Sequence, residues 1–225
     1  MKIGYREARR LLRQCSSGAL GSHSVTEPGF PYVTLLPYVL DDECRPMFLL
    51  SDLAEHTRNV KADPRVSLLV ADGAGGPLQQ ARMTLLGRLA AVELDGLGRE
   101  RFLRYSPESE DFLAFGDFRF YRLDPLKVRF IAGFGRMGWS EAEVFSHGLG
   151  GADEQTLLKR LVSRVPVGVE LLGIDWEGID IRVAGVFRRL ELDAPPPSLE
   201  ELEAAAEAVL DGLSGGPLGL PGNIA

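Results

Sequence analysis

The segment from Phe48 to Val70 constrains the fold of this chain more than any other. An apolar run, Phe48-Leu49-Leu50, gives way to a polar-fronted stretch from Ser51 to Ala62. Asp63-Pro64 stops that stretch, and a second apolar run follows from Val66 to Val70. The pattern predicts strand, short helix, strand, because a residue before proline is driven out of the helical region. Ser51 is placed to cap the helix, whose first amides lack partners and favour anions. His56, Thr57 and Arg58 add an imidazole, a hydroxyl and a fixed cation within one turn. Such a group can form a phosphate socket between two strands, and it can equally be a capped helix with solvated charges.

The flanking sequence fits an antiparallel sheet. Ala8, Leu11, Leu12 and Cys15 recur at helical spacing and precede short strand-like runs at 18–24, 31–39 and 46–51. Further runs at 66–71, 82–92, 118–123 and 127–134 complete the set, with a helix expected from Asp95 to Tyr105. Sequential strands with short connections are the signature of an antiparallel barrel. Gly148 to Gly151 divides the chain. Beyond it, Asp153 is expected to cap a helix, and two strands flank Asp175-Trp176-Glu177-Gly178 as a hairpin. A third strand spans 186–192, and Ser198 with Glu201 forms a capping box for a last helix.

Composition bounds the function. The chain has 225 residues and a formal charge of −7, and its last 36 residues contain seven acids and no Lys or Arg. That leaves 25 acids against 25 bases upstream, a neutral body with an acidic end, which argues against a nucleic-acid partner. No apolar run reaches the ~20 residues of a membrane span. The two cysteines, Cys15 and Cys44, lack metal or redox spacing and fit a reducing cytoplasm. Clustered metal ligands, a Walker loop and a Ser/His/Asp arrangement are all missing. The carboxylates Asp41 and Asp42 fall in an expected turn and are expected to be solvated.

Four blocks in order resemble the FMN-binding split-barrel family related to pyridoxamine 5′-phosphate oxidase, and within it the HugZ-type haem-utilisation branch. They are Ser51 to Asn59, Asp63 to Leu69, Phe115 to Tyr121, and Gly133-Phe134-Gly135-Arg136. The resemblance implies an α+β protein. A six-stranded antiparallel split barrel would span residues 1–146, with a linker at 147–151 and a small α/β domain at 152–212, while the Gly/Pro-rich end is expected to form a flexible tail at 213–225. It also implies a homodimer with FMN in clefts between the subunits. Ser51, His56, Thr57, Arg58 and Asn59 would surround the phosphate. Thr34, Leu35 and Leu36 would run beside the flavin ring, with Arg82 against it, and Gly133, Phe134, Gly135 and Arg136 would approach from the edge.

The implied activity is a flavin-dependent oxidoreductase acting on a small-molecule substrate. The alternatives are a haem-binding or haem-degrading protein and a non-enzymatic dimeric binding module. Haem needs an axial ligand, and the only histidines are His23, His56 and His147. The C-terminal histidine of the haem-degrading relatives has no counterpart, and neither does the Trp-to-Arg substrate signature of the true oxidases.

Overall fold

The computed structural model describes residues 5–73, 80–132, 137–142 and 147–214. The chain divides into two compact units, Met1–His147 and Gly148–Ala225.

In the first unit, helix α1 (Tyr5–Gln14) precedes strands β1 (Ser17–His23), β2 (Pro31–Pro37), β3 (Val39–Leu40) and β4 (Pro46–Ser51). Helix α2 (Glu55–Ala62) leads to β5 (Arg65–Ala71) and β6 (Arg82–Ala91). Helices α3 (Gly96–Tyr105) and α4 (Ser109–Leu113) are followed by β7 (Phe118–Ile131) and β8 (Met137–Glu141). The strands form one curled antiparallel sheet in the order β2-β1-β5-β6-β7-β4-β3, with β8 on β7.

This sheet has eight strands where six were expected. Pro37, which cannot donate to a ladder, ends β2 and leaves Val39–Leu40 as a separate short pair with Met47 and Pro46. Met137–Glu141 supplies the eighth. The runs at 118–123 and 127–134 join into a single strand. A register shift between Leu86 and Gly87 accommodates Pro125, so β7 continues past it.

Alternation along the strands builds the core. Leu20, Leu68, Leu85 and Val128 lie in one cross-strand row on the inner face, all fully buried, with Phe48, Met83 and Tyr121 around them. Ala8, Leu11 and Leu12 of α1 pack into the same cluster. Met47 and Phe120, on the other face of β4 and β7, pack with Phe102 of α3, whose ring meets Phe120 edge-on at 5.0 Å. Asp95 caps α3 by accepting from the Gly98 amide at 2.7 Å. Asp41 is buried rather than solvated: its carboxylate accepts from the Glu43 and Arg45 amides and pairs with the Arg45 guanidinium at 2.7 Å.

In the second unit, α5 (Gly151–Leu161) and a 3-10 turn (Val162–Arg164) precede β9 (Val169–Asp175), β10 (Gly178–Val183), β11 (Val186–Glu191) and α6 (Leu199–Ser214). The strands are antiparallel in the order β11-β10-β9. The expected hairpin is present, with Asp175 paired to Gly178 and the Asp175 carboxylate accepting from the Glu177 amide at 2.7 Å. Ser198 caps α6 through the Glu201 amide. Asp153 does not cap α5, since the helix already starts at Gly151 with Gly150 before it. The neighbouring Glu154 is the acid with an internal role, buried and accepting from the Ile174 amide.

Candidate functional site

The polar-fronted block lies around α2. Strand β4 ends at Ser51, and a tight turn follows in which the Ala54 amide donates to the Ser51 carbonyl and the Leu53 amide to Ser51 Oγ. The helix begins only at Glu55, with Ala54 at its N-cap and no side chain bonded there. Ser51 therefore caps the turn and not the helix. Its hydroxyl donates to Asp117 Oδ2 at 2.5 Å. Asp52 pairs with Lys61 at 2.7 Å and Arg119 at 3.3 Å, and the Lys61 hydrogen bond leads in holding its carboxyl below the usual range. Asp117, Asp52, Lys61 and Arg119 were not singled out in the sequence. Asp117 and Arg119 lie some sixty residues downstream, and only the β4–β7 pairing brings them to the site.

Along α2 the four expected residues diverge in role. Asn59 is fully buried: its Oδ1 accepts from the Val25 amide at 2.9 Å, and its Nδ2 donates to Ser22 Oγ at 3.2 Å. It clamps the end of β1 to the helix. Thr57 is also fully buried, and its Oγ1 has no partner. Partial burial lowers the His56 pKa, so its imidazole is neutral at pH 7. The Arg58 side chain is exposed and makes no bond among the described residues.

The strand residues fall on different faces. Thr34 pairs with Leu20 on the inner face, and Leu36 is buried in the core. Leu35 is 71% exposed on the outer face, in the cross-strand row Leu35, Ala19, Leu69, Thr84, Arg129, Trp139. Arg82 pairs with Ala71, two positions from Thr84 on that same face. Ala71 is six residues from Arg65, so Arg82 lies about 20 Å along the sheet from the end of β5 that follows α2. Ser51, His56, Thr57, Arg58 and Asn59 thus share the β4–α2 segment, but Thr57 and Asn59 are buried while Arg58 is exposed, and Arg82 lies apart from them. Gly133, Phe134, Gly135 and Arg136 lie outside the described residues.

The outer face is unusually apolar. Val33, Leu35, Leu69, Leu86, Met137 and Trp139 are all exposed on it. Arg129 stacks over the Trp139 ring at 5.6 Å. His23 shares the face, since β1 alternates with Leu20 and Ser22 turned inward.

The model of the CREG β-barrel family matches residues 3–147. The chain belongs to the CREG β-barrel family. A relative of this barrel, the non-canonical heme oxygenase HOZ, chloroplastic, of Arabidopsis thaliana, is 32% identical over 133 residues. The match covers 56% of this chain and 40% of that protein, so the chain spans less than half of its relative's length. Among solved structures, Atu2129 from Agrobacterium tumefaciens, of unknown function, is 26% identical with a TM-score of 0.74, covering 91% of this chain and 94% of its own. The heme binding protein from Mycobacterium smegmatis shares the fold at 24% identity and a TM-score of 0.61, over 95% of this chain and 98% of its own. Among the described residues of the CREG-family chain, no helix is long and apolar enough to cross a membrane.

Two cofactors can be tested against this CREG barrel. A flavin phosphate finds in Arg58 an exposed cation with no partner among the described residues, while the unpartnered Thr57 hydroxyl is fully buried. Ser51, however, already donates to the Asp117 carboxylate, and the Asn59 amide is occupied at both ends. A tetrapyrrole finds a broad apolar platform on the outer face, with Arg82 and Arg129 for its carboxylates and His23 as an imidazole donor.

Proposed function

We propose that this chain is a haem-binding protein that takes the tetrapyrrole on the outer face of the barrel sheet, within a homodimer that covers that face. The observation that carries the reading is the 32% identity to a heme oxygenase. The chemistry of the face supports it. Leu35, Leu69 and Trp139 would exclude water from the ring, Arg82 and Arg129 would pair with the carboxylates, and His23 would offer its imidazole to the iron. A second copy is needed because a platform open to solvent encloses one side only. Exposed apolar side chains along several strands are also more than an isolated surface leaves uncovered. When bound, haem supplies the redox and oxygen chemistry, and in an oxygenase it is itself the substrate.

Titration of the purified full-length chain with haemin tests this. A Soret band distinct from that of free haemin, saturating near one equivalent per chain and altered in His23→Ala, is the expected result. A spectrum identical to free haemin, or a monomer by light scattering in its presence, overturns the reading.

The second reading is an FMN-dependent oxidoreductase acting on a small substrate. The exposed Arg58 guanidinium, which has no partner among the described residues, favours it. Protein purified with the two flavin bands and no Soret band would put it first.

A further inference from the structure

The molecule has a cleft that neither cofactor reading uses. It has a volume of about 230 Å³ and lies where α3 and α4 cover the outer side of β4 and β7. Val39, Leu49, Phe102, Phe112 and Phe118 form its walls, and Glu108 stands at its rim. With Tyr38, four of the nine lining residues are aromatic. Phe112 and Phe118 pack on each other, tilted by 33° with ring centroids 5.3 Å apart, and Phe112 is 41% exposed. Flat apolar walls of this kind favour a flat ring, which can stack on one face and meet ring edges on the other. Size narrows the choice. A dry apolar cavity of roughly 150 Å³ in another protein accepts benzene, so this one has room for one or two fused rings. Drug-sized ligands occupy clefts of about 300 Å³ or more, and a tetrapyrrole is larger still.

The rim fixes the polarity of the ligand. Glu108 Oε1 accepts from Ser106 Oγ at 2.7 Å, and Ser106 Oγ lies 2.9 Å from Ser109 Oγ. This short network holds the carboxylate in place. Its other oxygen, Oε2, makes no bond among the described residues, and the residue is exposed. Among the residues lining the cleft, this carboxylate is the one charged group. The preference it creates is for a cation or N–H donor over an anion.

We infer that this cleft binds a one- or two-ring aromatic amine, with the ring against the packed Phe112–Phe118 pair and the ammonium at Glu108. The site is independent of haem or flavin binding. Calorimetric titration of the full-length protein with tryptamine, indole and indole-3-acetate tests it. Tryptamine should bind about fivefold more tightly than indole, the advantage expected of an exposed ion pair, and indole-3-acetate should bind most weakly. In Glu108→Gln, an exposed and conservative change, tryptamine should fall to the affinity of indole, while indole itself is unchanged. In Phe112→Trp, the larger ring should fill the cleft and abolish binding of all three. Absence of binding by the wild type, equal affinity for tryptamine and indole, or an undiminished tryptamine advantage in Glu108→Gln would each overturn the inference. Should Phe112→Trp fail to fold, the Glu108→Gln comparison decides alone.

Discussion

Two groups of charged side chains in this protein stand at opposite ends of commitment. In the second unit, the Arg189 side chain is 1% exposed and is held by Asp180 at 2.8 Å and Asp175 at 2.9 Å, with Glu191 Oε1 3.3 Å from its Nε but not aligned as a hydrogen bond. Burial works against its charge, yet Asp180 and Asp175 more than offset that and raise its pKa. Even the neighbouring backbone is fitted to it: a Cβ at Gly178 would lie 2.5 Å from the Leu190 carbonyl and 3.0 Å from the Arg189 guanidinium. On α2, Arg58 has no partner among the described residues, and Thr57 keeps a buried hydroxyl unsatisfied. A buried charge paired with two carboxylates holds a fold, whereas an exposed charge with no partner is available to a ligand.

The largest effect should come from breaking the committed side. Arg189→Leu leaves Asp175 and Asp180 buried without their cation, and loss of one partner from a buried ion cluster typically costs about 3–5 kcal/mol. Trp176 of the hairpin donates to the Gly148 carbonyl within the same unit and is the reporter. Its fluorescence midpoint in urea should shift far to lower denaturant. A shift equivalent to less than about 1 kcal/mol would show that the cluster does not hold the sheet.

Adjacent residues on α2 sharpen the contrast. Asn59→Ala removes two hydrogen bonds and leaves Ser22 Oγ buried without one of its partners, so about 2 kcal/mol of barrel stability should be lost. Arg58→Ala should stay within about 0.5 kcal/mol of wild type, as surface changes usually do. If the flavin reading holds, Arg58→Ala should weaken FMN binding roughly tenfold to a hundredfold while leaving riboflavin, which lacks the phosphate, nearly unchanged. Equal weakening of both ligands would place Arg58 against the ring or the fold.

How far these roles were legible in the sequence depends on how local they are. The strand–helix–strand of 48–70 and the Asp175–Gly178 hairpin follow from residues a few positions apart, and both are present. The Asn59 clamp was hidden because its partners, Ser22 at the end of β1 and Val25 just after it, lie more than thirty residues upstream. The outer row from Leu35 to Trp139 depends on the register of six strands, which alternation in any one of them does not reveal. Ser51 was misread as a helix cap because a serine before a polar run looks the same whether a turn intervenes or not. Arg189 escaped notice because its acids at 175, 180 and 191 meet only after β9, β10 and β11 pair.

The smallest expected effect is a pH slope at His56. Burial lowers its folded pKa below the ordinary 6.5, which the unfolded chain retains. Between those two values the unfolded state carries a proton that the folded state does not, so unfolding is favoured as pH falls through that window. The contribution is fully present above about pH 7 and is lost as pH drops from 6.5 to below the folded value. Water reaches part of the ring and screens the penalty, so the slope should be shallow. Asp41, whose carboxyl burial pushes up, acts with the opposite sign at lower pH, so the absolute slope does not isolate His56. The difference between wild type and His56→Gln does. Urea midpoints measured from about pH 7.5 to about pH 5.5 should converge toward the acid end, with the wild type losing more stability than the variant. Parallel curves would mean that His56 is solvated as an ordinary surface histidine, and the polar front of α2 would then contain no buried imidazole.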